Sequence, residues 1–397
     1  MILANDVLRP ASEDDAARMV REARAETRRI DIVGGGTRGG FGRPRRGDVQ
    51  LTSAALSGIV FYEPAEMVVC VQGGTPLGVI EAALDKAGQM LPFEPMDHRA
   101  LYASQGEPTI GGLVACNVSG PRRISAGAAR DSLLGLRLVN GAGEIIKNGG
   151  RVMKNVTGLD LVKLNCGAHG TLGLLTQATL KLLPRPEHEA TIVIRRLDDE
   201  QAIEAMTRAL GSPFSVSGAA HLSAGMGREF PRTFLRLEGL RESVDYRAAR
   251  LVDLLGPLGA KHALEPGDSA KLWRAIRDAE YLAELRDNAV WRISLAPTRG
   301  AAFVASLGAA ALNHFYDWGG GLVWLTSPPT AEAASVIRIA LEPFGGHATL
   351  MRAPDELRGA VDVFEPLSAP LMRITRGVKA SFDPDGIVNS GRMYRNL

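Results

Sequence analysis

The chain has 397 residues, of which 45% are hydrophobic and 23% charged, and its formal net charge is +2. That length exceeds one ordinary hydrophobic core, and the near-neutral balance, without a basic run interleaved with aromatics, argues against a nucleic-acid partner. Three scattered cysteines, Cys70, Cys116 and Cys166, cannot hold an iron–sulfur cluster on their own, and seven dispersed histidines offer no metal-ligand spacing, so no metal site is expected.

The first ten residues include Asn5, Asp6 and Arg9 and lack the apolar run of a signal peptide. The longest apolar stretch, Ala301 to Leu312, is about half of the ~20 residues that a spanning helix requires. A cytoplasmic protein, with at most peripheral membrane contact through partners, is the expectation.

From Ser12 to about Thr27 a hydroxyl cap and an acidic first turn introduce a helix. The strand Arg29 to Val33 stops at three glycines, and strands follow at 49–51, 59–63 and 68–72. Thr75-Pro76 starts a helix that ends at Gly88. A hairpin turning at Gly141-Ala142-Gly143 joins strands 133–140 and 144–147, and a last strand spans 174–182. Pro184-Arg185-Pro186 then sets a boundary.

Beyond it, strands are predicted at 191–195, 215–221, 233–238, 289–295, 321–326 and 347–352. Helices are predicted at 198–210, 242–255, 271–285, 301–312 and 331–341. This alternation implies an α+β arrangement of split βαβ, ferredoxin-like type. A helix from Pro366 leads into Phe382-Asp-Pro-Asp-Gly, which is expected to return to the first domain. The domains read as 1–186, 187–353 and a C-terminal segment 354–397.

Gly34-x-Gly36-x-x-Gly39 follows a strand and matches the nicotinamide-dinucleotide fingerprint by spacing. That fingerprint needs a helix behind its last glycine, and Gly39-Gly40-Phe41-Gly42-Arg43-Pro44 cannot carry one. What remains is a glycine nest, Gly34, Gly35, Gly36, Thr37, Arg38 and Gly39, whose converging amides suit an anion. A second such segment holds Thr109, Gly111, Gly112, Asn117, Ser119 and Gly120, and two anion-accepting turns fit one diphosphate. Gly127 and Asp131 precede one strand. Gly170, Leu172 and Leu175 enter another, whose edge can pair with a planar ring through its backbone.

These segments, with Lys154-Asn-Val-Thr-Gly-Leu-Asp-Leu161 and Asp383-Pro-Asp-Gly-Ile-Val-Asn-Ser-Gly-Arg-Met393, resemble the FAD-linked oxidases of vanillyl-alcohol-oxidase type, which carry a two-lobed PCMH-type FAD-binding domain. Gly88-Gln-Met-Leu-Pro-Phe-Glu-Pro95, Gly120-Pro-Arg-Arg123, Trp291-Arg-Ile-Ser-Leu295, Asp317-Trp-Gly-Gly320 and Gly345-Gly-His-Ala-Thr349 are similar to the FAD-binding subunits of bacterial glycolate oxidases. The resemblance implies FAD, a larger related flavoprotein subunit, an iron–sulfur subunit, and oxidation of glycolate or a similar 2-hydroxy acid. The absence of histidine and cysteine from Gly34–Gly40 implies non-covalent FAD. Leu159 stands where many relatives have a tyrosine, so that ring's contacts do not transfer.

Oxidising a 2-hydroxy acid takes a proton acceptor, an arginine for the carboxylate and a flavin. The larger relatives' histidine-rich segment is missing, and the best candidates are His347 and, five positions on, Arg352. Arg392 beside Asn389 is expected at the flavin or its phosphates. Trp318 and Trp324 are candidates for a ring wall or for packing. Two other readings stay open: a self-sufficient FAD oxidase of another hydroxy or sugar acid, and an assembly subunit with a vestigial flavin site.

Overall fold

The computed structural model describes residues 6–151, 158–226, 229–260, 262–395 and 397, so the Lys154–Thr157 part of the motif above lies outside the described residues. The chain forms two compact units. Residues 1–119, 127–185 and 366–397 make the first, and residues 120–126 and 186–365 the second. The predicted segment 354–397 thus divides at Pro366, its first part staying with the second unit.

The first unit has two lobes of sheet. In one, the strand Val49–Thr52 lies between Asp6–Leu8 and Ile30–Val33, all parallel. The other is antiparallel, in the order Ile59–Glu63, Val68–Gln72, Gly173–Lys181, Leu133–Asn140, Ile145–Gly149. The helix Glu13–Ala25 packs between them: Ser12 Oγ accepts its Asp15 amide at 3.1 Å, and helical spacing puts Ala16, Val20 and Ala23 on one buried face. That face meets Ile30, Leu51, Val139 and Leu174 in one core. Burying Val20 alone is worth about 1.5–3 kcal/mol.

The C-terminal helix Ala369–Phe382 returns to this unit through a buried ion pair. Lys379 Nζ lies 2.6 Å from Asp383 Oδ2 and also donates to the carbonyls of Thr171 and Val388 at 2.7 Å. Asp383 in turn accepts the amides of Ile387 and Val388. The motif's aspartate is therefore the clamp that brings Asn389 and Arg392 to the glycine nest.

The second unit is an eight-stranded antiparallel sheet in the order His262–Leu264, His188–Arg195, Arg232–Gly239, Gly218–Leu222, Asn313–Asp317, Leu322–Ser327, Ala289–Ser294, His347–Arg352. It is one pattern used twice. Residues 188–264 run β-α-β-β-α-β around helices Asp199–Leu210 and Arg241–Leu255, and residues 289–352 repeat it around Gly300–Ser306 and Ala331–Leu341. The halves join by antiparallel pairing of His221 with Tyr316 and Leu222 with Phe315.

The predicted split βαβ class is present in duplicate. The predicted helix 301–312 concealed this, because its alpha-helical part stops at Ser306 and the strand Asn313–Asp317, which completes the second half, went unread.

Strand alternation gives the sheet two unlike faces. His221, Tyr316 and Trp291 point toward the four helices of the repeats: Asp199 on the first helix meets His221 Nε2 at 3.3 Å and Tyr316 Oη at 2.8 Å, and the Arg338 guanidinium lies over Trp291. Thr191, Arg236 and Arg292 point to the other side. There the helix Pro266–Arg277 covers the first half, with Trp273 Nε1 donating to Thr191 Oγ1 at 2.8 Å.

Candidate functional site

In the first unit a cleft opens where the strand Ile30–Val33 ends. Its floor is two backbones in contact. A methyl group on Gly35 would lie 1.7 Å from the Glu107 carbonyl oxygen, one on Gly106 only 1.6 Å from that of Gly35, and one on Gly111 2.7 Å from that of Gly73. Only hydrogen side chains allow these loops to meet, and Gly36 also needs its φ of +77°. No helix follows the nest before Pro64, which removes the nicotinamide-type arrangement.

Polar groups at this floor lack partners. Among the described residues the buried Thr109 hydroxyl has no hydrogen-bond partner, and neither has Nη2 of Arg38, whose Nε reaches His98 at 3.3 Å. Burial pushes the Arg38 guanidinium below its ordinary pKa. The amides of Gly35 and Gly36 donate to nothing among the described residues. The Arg38 guanidinium and the Thr109 hydroxyl converge: a methyl group on Gly112 would lie 3.1 Å from Arg38 Nη1 and 3.4 Å from Thr109 Oγ1. Orphaned buried donors are costly without a ligand, and a cation, a hydroxyl and free amides at one point form an anion site.

One wall is His169, whose pKa is pushed down to about 3 by burial and by the charges of Arg392 and Arg38, so the ring is neutral. It stands edge-on to Phe41 at 4.7 Å.

Of the predicted cofactor residues, Gly34, Gly35, Gly36, Thr37, Arg38, Thr109, Gly111, Gly112, Gly170, Leu175 and Arg392 line this cleft. Arg392 needs a correction: its guanidinium bonds the carbonyls of Arg38, Gly39, Phe41 and Arg43, so it fixes the nest's return loop and is not aimed at a phosphate. Gly39, Asn117, Ser119, Gly127, Asp131 and Leu172 do not line it. Asn117 Oδ1 accepts the Arg130 amide, Ser119 Oγ that of Ala129, and Asp131 Oδ2 that of Ala128, so they tie down the turn at Gly127. Gly120 belongs to the second unit, where its carbonyl accepts the Trp318 indole N–H at 3.0 Å.

Ser53, Phe41, Cys116 and Asn389 line the cleft without having been singled out for it. Asn389, at φ +44°, bonds Ile32 N and His169 O, and its place in the Asp383 motif was the available signal.

In the second unit His347 opens the last strand opposite Ser294, on the same face as Arg292 and Thr349. It is exposed at its edge, yet surrounding protein and then the Arg292 charge push its pKa down, Glu365 opposing. Arg352 does not serve as a carboxylate binder. An irregularity in the ladder turns it onto the same face, but its guanidinium bonds the carbonyls of Leu282, Ala283 and Leu285 at the end of the helix Glu280–Ala283.

Arg292 is the arginine left over. Its charge lies 4.8 Å from the centre of the Trp318 ring, and that of Arg123 lies 4.5 Å from it. Trp324 is core packing, stacked on Phe315. Among the described residues no cluster of three or more metal-binding side chains exists.

A two-lobed α+β unit with a glycine-floored anion cleft, in a chain that also carries a duplicated βαβ sheet, defines a flavin-binding protein of the FAD-linked oxidase class. Residues 4–149 match the model of the FAD binding domain. The chain is 38% identical over 95% of its length, and 96% of the relative's, to glycolate oxidase subunit GlcE of Escherichia coli strain K12. It therefore belongs to the family of PCMH-type, FAD-binding oxidoreductases that includes GlcE, and its cofactor is FAD.

Glycolate oxidase subunit GlcD of Bacillus subtilis strain 168 is 32% identical, over 47% of this chain and 38% of its own. The structure of 4-ethylphenol oxidase from Gulosibacter chungangensis shares the fold, with a TM-score of 0.71 at 15% identity over 97% of this chain and 88% of that one. Among the described residues no helix is long and apolar enough to cross a membrane.

Proposed function

We propose that this chain is the FAD-carrying subunit of a complex that oxidises glycolate, or a similar 2-hydroxy acid, to the 2-oxo acid. It works beside a larger related flavoprotein and an iron–sulfur subunit that receives the electrons. The observation that carries this reading is the 38% identity with GlcE over 95% of the chain; three scattered cysteines are too few for the four thiolates that a cluster ordinarily takes.

Arg38, Thr109 and the amides of Gly35 and Gly36 hold the FAD pyrophosphate, satisfying donors that otherwise stay buried and unpaired. The fit is good because charge, hydroxyl and backbone converge on one point that a side chain on Gly112 would crowd. Neutral His169 adds no charge beside the cofactor. When bound, FAD supplies the two-electron acceptor that alcohol oxidation requires. His347, held neutral by its surroundings and by Arg292, is the residue we assign to accept the hydroxyl proton.

Purification of the chain alone and with its co-expressed partners tests the reading. One FAD per chain is expected on denaturation, with little glycolate-dependent bleaching alone and fast bleaching in the complex. Rapid bleaching of the isolated chain would overturn the subunit reading, and a flavin-free chain would overturn the flavin site.

A further inference from the structure

The cluster around Trp318 has a use beyond packing. Trp318 is a non-glycine residue at φ +54°, a conformation costing roughly 1–3 kcal/mol, and it is held there from both ends. The Asp317 carboxylate accepts its amide at 2.7 Å, and its indole donates to Gly120 O at 3.0 Å. Gly319 and Gly320, also at positive φ, let the chain turn directly behind it. The constrained ring is a platform on which the charges of Arg123 and Arg292 rest at 4.5 and 4.8 Å.

The Arg292 guanidinium makes no hydrogen bond and no ion pair among the described residues, although it is partly buried. Burial first, and the charge of Arg123 second, push its pKa down to about 10, with Asp317 opposing. The other nearby acid, Glu365, is engaged by Arg338 Nη1 at 2.8 Å and by the Ala348 amide at 2.9 Å. Two guanidinium groups thus meet on one ring, and the carboxylate that Arg292 feels is that of Asp317. Beside Arg292 on the same sheet face stand the small polar residues Ser294 and Thr349 and the neutral ring of His347.

We infer that Arg292 and Arg123, seated on Trp318 and flanked by His347, form a binding site for the carboxylate of a small monoanionic acid in the second unit. The fork of Arg292, which has no acid bonded to it among the described residues, supplies two parallel N–H donors, and the Arg123 charge adds attraction. That the acid is a 2-hydroxy acid rests on the function proposed above. The subunit then binds its acid itself and is more than a carrier of flavin.

The test uses the FAD-loaded chain and its assembled complex with glycolate as the probe, and glycolamide, its neutral isostere, as comparator. Calorimetry is expected to show glycolate binding and at least tenfold weaker glycolamide binding. Arg292→Gln should weaken glycolate roughly ten- to hundredfold, and Arg292→Lys, which keeps the charge and loses the fork, by a smaller factor. FAD content and the circular dichroism spectrum should be unchanged in both.

Equal affinity for the two probes, no glycolate binding by wild type, or full affinity in Arg292→Gln would overturn the site. Should Arg292→Gln not fold, wild-type affinity in Arg292→Lys would do the same. The two readings fail separately. Glycolate bleaching of the complex with an unchanged KM in Arg292→Gln removes the carboxylate site and leaves the function. Arg292-dependent binding without any bleaching of the complex removes the function and leaves the site.

Discussion

The two halves of the eight-stranded sheet each set an arginine over a tryptophan, and they treat its charge in opposite ways. In the first half Arg236 lies 4.7 Å from the Trp273 ring, is 1% exposed, and has Glu238 3.4 Å from its Nε and Ser217 Oγ at 3.3 Å. Glu238 also takes Arg122 in a two-pronged pair at 3.1 and 2.6 Å. In the second half Arg292 lies 4.8 Å from Trp318 with no acid bonded to it among the described residues. The pairs sit at non-equivalent places, Arg236 and Trp273 on the third strand and the covering helix, Arg292 and Trp318 on a first strand and a strand turn, and one is a finished structural network while the other keeps its charge without a bonded acid among the described residues. Neutralised arginines hold a fold together, and arginines left with donors to spare hold ligands.

The most direct way to break this comparison is to remove the acid that distinguishes the halves. Glu238→Gln strands two buried guanidinium groups and should cost about 3–5 kcal/mol of stability. Arg292→Gln removes a desolvated charge that has no hydrogen bond or ion pair among the described residues, and should leave stability within about 0.5 kcal/mol of wild type or raise it. Denaturant midpoints for both variants measure the difference. Equal losses would mean that Arg292 is as structural as Arg236.

Arg38 extends the comparison to the first unit, since it too is a buried arginine without a bonded acid. Arg38→Met should leave the flavin-free chain as stable as wild type or more so. FAD affinity should fall by about 1.5–3 kcal/mol, the worth of a charge-assisted hydrogen bond, as read by flavin fluorescence titration. A smaller loss, about 0.5–1.5 kcal/mol in FAD affinity with the apo midpoint unchanged, is expected for Thr109→Val, because the hydroxyl has no partner to lose without the ligand. A destabilised apo chain in either variant would assign these donors to the fold.

Much of this was legible because backbone chemistry writes itself into composition. The Gly34–Gly36 nest, the Thr109–Gly112 turn and the Asp383 motif are visible as residues, since only glycine fits between two carbonyl-lined loops and only a short acid can clamp Lys379. The segment Trp291-Arg-Ile-Ser entered only through its resemblance, and the arginine on the polar parity of that strand went unread. What stayed hidden depends on groups distant in sequence. Arg352 looked like the carboxylate binder until the structure placed the carbonyls of residues 282–285 within its reach. Arg392 looked like a phosphate ligand for the same reason, because nothing in the chain's order shows which loop will end against it. The duplication in the sheet was missed for want of one strand, Asn313–Asp317, masked by the alanine-rich run before it.

The smallest expected effect is the most specific to the second half. The imidazolium form of His347 is disfavoured by surrounding protein first and then by the positive charge of Arg292, with Arg123 acting in the same direction and Glu365 against it. Removing Arg292 takes away a like charge, so the His347 pKa must rise toward its ordinary value, whereas adding a carboxylate to the cluster neutralises the same charge and must raise it too. Histidine NMR titration of wild type, of Arg292→Gln and of wild type with glycolate reads all three. The expected order places wild type alone lowest. Glycolate should shift His347 in wild type and leave it unmoved in Arg292→Gln, because the variant has already lost the charge that the anion would cancel. A glycolate shift of equal size in both proteins would show that the anion reaches His347 without Arg292, and the contrast between the two halves of the sheet would then concern packing alone.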